Sequence, residues 1–332
     1  MTTATPALAT VPVVNGATLR VVRRVVRRLV EAILLLFAVG TIVFFLEHLV
    51  PGDPAVAILG GAASHPTKEA VEAVRSQYGF DRPLIAQYGS FLLGLLHLDF
   101  GESYTLKQSV TSVIAGQIGP TLSLTVTALV IAWVLSITST LATAGRRGIW
   151  GRVGSAVETI AAGLPQFWLG LVLLIVFAVR LQWFPVIGTG ILGLVLPALT
   201  LAIPLAGFLG QVTRDEFEDK LQQPFVLSAR SRGMSEGAVR ARHVLRHAAL
   251  PGVTLSGWGL GSLVSGAVIA EVVFARQGIG QVLVTAVNSQ DLPLVIGITF
   301  VVALVYVVAN LLTDIAYIAI DPRLRAAIGA PA

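Results

Sequence analysis

The sequence predicts an all-α membrane protein with six transmembrane helices and both termini on the cytoplasmic side. Three observations carry this prediction. Hydrophobic residues fill 55% of the 332 positions and charged residues only 12%, about half the charged share of a soluble domain. Six stretches are apolar over roughly the 20 residues that cross a bilayer. Lys and Arg are divided unequally between the segments that connect these stretches.

The six apolar stretches are expected to be helical, because lipid offers no hydrogen-bond partner to an exposed backbone. The predicted spans are 29–47, 117–143, 155–180, 192–212, 252–275 and 293–319. The first follows an arginine-rich tail, 1–28, and is longer than the core of a signal peptide, so we expect it to remain as an anchor. A second tail covers 320–332.

The orientation follows from the basic residues. With the N-terminus inside, 17 of the 23 Lys and Arg residues fall in cytoplasmic segments and six fall outside. Cytoplasmic segments retain positive charge, so this division predicts that both termini are cytoplasmic. It also makes 48–116 an extracytoplasmic loop and 213–251 a cytoplasmic segment.

The external loop 48–116 is too long to be a simple connection. Residues 67–78 form an amphipathic pattern, with Thr67 as the predicted N-cap of a short helix. The apolar run Phe91–Leu98 is too short to span a bilayer. We expect this run either to pack on the outer ends of the spans or to lie in the membrane interface.

The cytoplasmic segment 213–251 predicts two helices joined by a tight turn. Helix-compatible residues run to Arg232, and Gly233 can adopt the left-handed conformation that ends a helix. Ser235 can cap the next helix. A plain connecting loop, whose positive charges serve only to orient the protein in the membrane, would explain the Lys and Arg residues. Such a loop would need only a few residues. The length and the design favour a docking element for a cytoplasmic partner.

Several stretches, in order, resemble the B-type permease of ATP-binding-cassette (ABC) importers for dipeptides, oligopeptides and nickel. Within 213–251, ARSRG (229–233) and RHVLRHAALP (242–251) resemble the EAA loop of that family. The other matching stretches are LLLFAVGTIVFFLEHLVPGDPA (34–55), YGFDRPLIAQYGSFLLGLLHLDFGES (78–103), PTLSLTVTALVIAW (120–133), EVVFARQGIGQVLVTAV (271–287) and NLLTDIAYIAIDPRLR (310–325).

The resemblance implies the type I ABC importer permease fold, with a permease core over 117–319, in the bacterial plasma (inner) membrane. It implies half of a heterodimeric pore, completed by a second homologous permease. It further implies two cytoplasmic ATPase subunits, or one fused ATPase, and an extracytoplasmic substrate-binding protein. ATP and Mg would be bound by the ATPases, with no cofactor on this chain. Peptides are the expected solute, and nickel, glutathione, haem and sugars are alternatives.

Two sets of candidate site residues follow, the first from the resemblance of the cytoplasmic segment and the second from hydroxyl, amide and carboxylate groups in the spans. The ATPase-coupling candidates are Ser228, Ala229, Arg230, Ser231, Arg232, Gly233, Met234 and Ser235. The candidates for a translocation path are Ser262, Ser265, Glu271 and Asn310. Small residues in the fifth span are explained equally well by close helix packing.

Four acidic residues lie in or near spans, and we expect them at the interfaces with water rather than in a proton relay. These are Glu31, Glu158, Glu271 and Asp314.

The alternative function from another class is a self-contained secondary transporter. The chain has no GxxxxGK[ST] phosphate-binding motif, so another subunit would have to bind the ATP that drives it. It has no cysteine, which excludes thiol catalysis and iron–sulfur ligation. His243 and His247 have metal-ligand spacing without a third ligand nearby, so no metal site is expected. The basic residues predict a membrane surface as partner, and no nucleic acid.

Overall fold

The computed structural model describes residues 16–49, 52–61, 64–188 and 190–320, and helices dominate these ranges. In chain order the helices are α1 (Gly16–Leu49), α2 (Pro54–Ile58), α3 (Lys68–Tyr78), α4 (Leu84–Leu96), α5 (Val110–Thr143), α6 (Ile149–Gly163), α7 (Gln166–Leu173), α8 (Gly190–Leu221), α9 (Pro224–Ser231), α10 (Glu236–Ala238), α11 (Leu245–Ala248), α12 (Leu250–Val273), α13 (Ile279–Asn288) and α14 (Leu292–Ile320). A π-helical segment, Leu174–Arg180, extends α7, and another, Val239–Val244, joins α10 to α11.

Some predicted features lie outside these ranges. They are the first half of the N-terminal tail, the tail that follows α14 and the side chain of Asp314.

The predicted set of six spans is confirmed. Five helices, α1, α5, α8, α12 and α14, are each long and apolar enough to cross a membrane, and the bent pair α6–α7 brings the number to six when it counts as one span. Several helices are longer than the hydropathy predicted. In particular, α8 continues to Leu221 instead of ending at 212, so the cytoplasmic segment begins with helix.

The third span is the main departure from the predicted architecture. A single helix was expected over 155–180, but α6 and α7 meet at an angle of 102°. The break falls at Leu164 and Pro165, which are both extended. Proline has no backbone N–H to continue the helical ladder, and it disfavours helical backbone in the residue before it.

Helix α8 occupies the centre of the bundle and packs against α5, α6, α7 and α12. Its contact with α6 depends on glycine. A Cβ added to Gly207 would lie 2.4 Å from the backbone nitrogen of Ala162, so only a residue without a side chain allows this approach. The buried core here is formed by Leu124, Ala128, Ala132, Ala198, Leu201, Ala202, Leu205, Ala206, Leu209, Leu263, Ala267 and Ala270.

The predicted short helix in the external loop is present as α3. Thr67 Oγ1 accepts a hydrogen bond from Ala70 N at 3.3 Å, and Gly79 ends the helix with a φ of +71°. The apolar run Phe91–Leu98 begins in the second half of α4, which ends at Leu96 and packs on α1 through the rings of Tyr88 and Phe91.

A candidate coupling knob and the polar sites behind it

Between α8 and α12 the chain folds into a compact protrusion, here called the knob (residues 224–248). Helix α9 runs to Ser231, and Gly233 follows with a φ of +80°. Ser235 then caps α10, its Oγ accepting from Ala238 N at 3.4 Å. This is the predicted order of helix, glycine turn and capped helix. The second helix differs from the prediction, because its middle widens into the π-helical segment Val239–Val244.

An ion pair bridges the turn of the knob. Arg230 Nε donates to Glu236 Oε1 at 2.6 Å, and a second guanidinium nitrogen of Arg230 donates to Oε2 at 3.1 Å. The hydrogen bond from Arg230 lowers the pKa of the Glu236 carboxyl, and the same bond raises the pKa of Arg230. The bidentate pair links the two helices across the turn.

The knob has a buried face and an exposed face. The buried cluster consists of Ala144, Phe217, Val226, Ala229, Val239, Val244 and Ala248. Ala229 is fully buried in it, so this candidate packs the knob internally and does not line a docking surface. The exposed candidates are Ser228, Arg230, Ser231, Arg232, Gly233 and Ser235, with Met234 half-buried. Leu227 joins the exposed face, with 68% of its surface accessible.

Arg240 attaches the knob to the second span, a role that no pattern in the sequence indicated. One of its guanidinium nitrogens donates to Ala144 O at 2.6 Å and to Leu141 O at 3.1 Å. These carbonyls belong to the last turn of α5, where helical carbonyls have no partner in the helix. The positive charge also stabilises the negative end of the helix dipole. Arg240 lies 4.9 Å above the ring of Phe217, and burial lowers the pKa of Arg240.

A buried ion pair lies behind the knob, between α6 and α8. Arg214 Nε donates to Glu158 Oε2 at 2.6 Å, and a second nitrogen of Arg214 donates to Oε1 at 2.9 Å. Ser139 of α5 donates to the same carboxylate, and Arg214 also donates to Thr143. The carboxylate is 3% exposed. The surrounding helices therefore shield Glu158 from solvent, which hydropathy did not indicate.

Arg214 lies in the part of α8 that extends beyond the predicted span, 5% exposed. The burial of Arg214 and of Glu158 has one cause: α8 continues past its apolar stretch, and the neighbouring helix ends cover the pair.

Glu271 is a second buried carboxylate that was expected at an interface. It is fully buried and accepts hydrogen bonds from Thr121 Oγ1 at 2.6 Å, Gly280 N at 2.7 Å and Gln281 N at 3.2 Å. These bonds join α12 to α5 and to the start of α13. Glu271 therefore organises the packing of three helices. Glu31, in contrast, is exposed and pairs with Arg27 at 2.7 Å.

The remaining translocation-path candidates are on different surfaces from Glu271. Ser262 and Ser265 lie on the exposed face of α12. Asn310 is half-buried, and its Nδ2 donates to Tyr306 O at 3.0 Å. The structure thus brings the two serines to one accessible helix face, and leaves the carboxylate of Glu271 inside the bundle.

Two family models match the chain. One describes the binding-protein-dependent transport system inner membrane component and covers residues 136–326. The other describes the N-terminal part of the same membrane component and covers residues 21–125. The chain belongs to this family. It is therefore a multi-pass permease of the inner membrane, which supports the ABC importer over a self-contained secondary transporter.

Curated relatives match over nearly their whole length. A "Putative peptide transport system permease protein" of Brucella abortus is 35% identical over 311 residues, which cover 91% of this chain and 98% of the relative. The glutathione transport system permease protein GsiC of Escherichia coli K12 is 35% identical over 303 residues, covering 91% and 98% respectively.

A solved structure agrees with the fold. The methionine ABC transporter MetNI, in an inward-facing conformation, matches with a TM-score of 0.51 and 17% identity, over 64% of this chain and 97% of the other. The likeness shows the type I ABC importer permease fold.

Proposed function

We propose that this permease forms one half of the pore of a peptide importer and is driven through the knob by partner ATPases. One observation carries the proposal: the inner face of the knob, the end of α5 and the end of α8 share a single buried cluster. A force applied to the knob therefore reaches two spans through packed side chains, where a loose linker would absorb it.

The exposed face of the knob is the proposed docking surface. It offers Leu227, Ser228, Ser231, Arg232 and Ser235 to a partner. An apolar side chain surrounded by small polar residues and one unburied cation suits a cleft on another protein. Arg230 takes part differently from the family-based expectation, because its pairing with Glu236 makes it a brace for the turn.

The proposed assembly contains a second homologous permease, two ATPase subunits or one fused ATPase, and an extracytoplasmic substrate-binding protein. ATP and Mg are bound and hydrolysed by the ATPases. This chain then acts as a conduit and a transmission element without catalysing a reaction. The family description supports the dependence on a binding protein. The knob is the segment through which movements of the ATPases would act on the spans.

The proposed solute is a short peptide. The support comes from relatives at 35% identity that are named for peptide and glutathione transport. Glutathione is itself a small peptide, so both names indicate one chemical class: a flexible chain of amide groups with charged ends. Mass spectrometry of the ligand that co-purifies with the partner receptor identifies the solute directly.

Substitution of Gly233 tests the coupling role. Gly233→Val places a β-branched residue at a φ of +80°, which is a conformational outlier for such residues. We expect membrane insertion to persist, while solute uptake and solute-stimulated ATP hydrolysis fall together. The measurement is uptake and ATPase activity of the assembled transporter in proteoliposomes.

Gly233→Asn is the matched control, because Asn tolerates the left-handed conformation. A Cβ at this position would meet no atom of the described residues within 4 Å, so the two variants differ in backbone strain and not in a clash with this part of the chain. Wild-type uptake in Gly233→Val would overturn the coupling role.

A further inference from the structure

The apolar helix α4 packs along α1 below the outer end of that span. Tyr88 Oη lies 2.8 Å from Thr41 Oγ1. A Cβ added to Gly40 would lie 3.2 Å from Leu95 Cδ2, so Leu95 sits directly on Gly40. The apolar part of α1 ends at Leu46, six residues after Gly40, which is about 9 Å along the helix axis.

A second span gives the same depth for the loop that follows α4. The rings of Phe100 and Phe300 lie 5.6 Å apart, and a Cβ added to Gly297 would lie 3.2 Å from Phe100 Cγ. The apolar part of α14 begins at Leu292. Gly297 and Phe300 are five and eight residues further on, roughly 7 and 12 Å inside the span.

The two sides of α4 differ in character. Gln87, Ser90, Phe91 and Gly94 line a cavity of about 850 Å³ that also contacts α1, α3 and α14. Ile85, Leu93 and Leu96 lie on the opposite side, 85%, 62% and 80% exposed. At 100° per residue these three side chains fall within about 80° of one another. No charged residue occurs between Leu84 and Leu96.

The backbone that follows α4 has hydrogen-bond partners within the protein. Leu98 O accepts a hydrogen bond from Thr111 Oγ1 at 3.0 Å, and Asp99 N donates to Gly94 O at 2.9 Å. Non-helical backbone at membrane depth is tolerated where the protein itself satisfies it or where it lines a cavity. The loop after α4 meets both conditions.

We propose that α4 dips into the outer half of the bilayer, with Ile85, Leu93 and Leu96 against lipid acyl chains and the opposite face closing the cavity from the lipid. Lipid is the occupant that the geometry favours. The face is apolar and uncharged, and its depth is set by two spans that agree. This inference is independent of the proposed solute and of the coupling role of the knob.

Spin labelling tests the proposal sharply, because the chain has no cysteine and each introduced thiol is its only one. Leu93→Cys and Leu96→Cys carry the label on the proposed lipid face, and Ser90→Cys carries it on the cavity face of the same helix. Ile85→Cys replaces either variant that fails to assemble. The transporter is reconstituted with its partners in bilayers, and collisions with oxygen and with a water-soluble nickel chelate are measured.

Labels at 93 and 96 are expected to collide with oxygen at least several-fold more than with the nickel chelate. The label at 90 is expected to favour the nickel chelate. Two results overturn the proposal. Nickel accessibility at 93 and 96 equal to that at 90 would place α4 in water. Protection of both positions from both reagents would show that the second permease covers this face.

Discussion

At the scale of single residues, the ion pair between Glu158 and Arg214 is the most consequential feature of the described interior. Both side chains are almost fully buried, and they join α6 to α8. Removing one member of such a pair leaves an uncompensated charge, which costs about 3–5 kcal/mol. Arg214→Met should therefore lower the thermal unfolding temperature of the purified permease strongly.

The double variant Arg214→Met with Glu158→Gln is the control for that prediction. The amide introduced at position 158 would carry no charge, and its oxygen could still accept the hydrogen bond that Ser139 donates to Glu158 at 2.7 Å. We expect the double variant to regain a large part of the lost unfolding temperature. A double variant as unstable as Arg214→Met would show that the buried charge is not the cause.

Residue-level prediction from the sequence succeeded where local chemistry decides the outcome. Gly233 and Ser235 have turn and cap preferences that depend on their own backbone, and both behave as expected. The burial of Glu158 and Glu271 was not predicted, because hydropathy does not report which other helix covers a carboxylate. Their partners are 56 and 150 residues away in the chain, at Arg214 and Thr121.

At the scale of elements, the joint between the knob and α5 depends on Arg240. Arg240→Met removes the donor from carbonyls at the end of α5, and a buried carbonyl left unpaired costs about 1–3 kcal/mol. We expect the ratio of solute uptake to ATP hydrolysed to fall on the order of tenfold, which corresponds to about 1.4 kcal/mol of lost coupling. This uptake ratio is measured in proteoliposomes.

Two further variants distinguish the loss of the Arg240 hydrogen bonds to α5 from the loss of a positive charge. Arg147→Met removes a cation from the exposed turn after α5 and should leave the uptake ratio unchanged. Arg240→Lys keeps a charge near the carbonyls without the planar fork and should fall between the two. An unchanged uptake ratio in Arg240→Met would contradict the role of Arg240 in connecting the knob to α5.

The bend of the third span shows where element-level prediction stops. Pro120, Pro197 and Pro204 lie inside continuous helices, whereas Pro165 marks a break of 102°. Proline weakens a helix in every case, and tertiary packing decides whether the helix continues. The sequence shows where proline weakens a helix, but it does not show how the neighbouring helices pack there.

At the scale of the whole molecule, the sequence predicts the fold well because the bilayer imposes few choices. Apolar length specifies the spans, and the described helices contain all six of them when α6 and α7 count as one. The division of basic residues specifies an orientation. The partners are not predicted in the same way, because their surfaces are encoded in other chains.

Contact between the knob and the ATPase is measured most directly by cross-linking from the knob in the assembled transporter. A benzophenone maleimide on Leu227→Cys samples the exposed face of the knob, and the same reagent on Glu69→Cys samples α3 on the predicted external side. We expect a cross-link from position 227 to the ATPase and none from position 69. An assembled, active transporter that gives no ATPase cross-link from position 227 would contradict it.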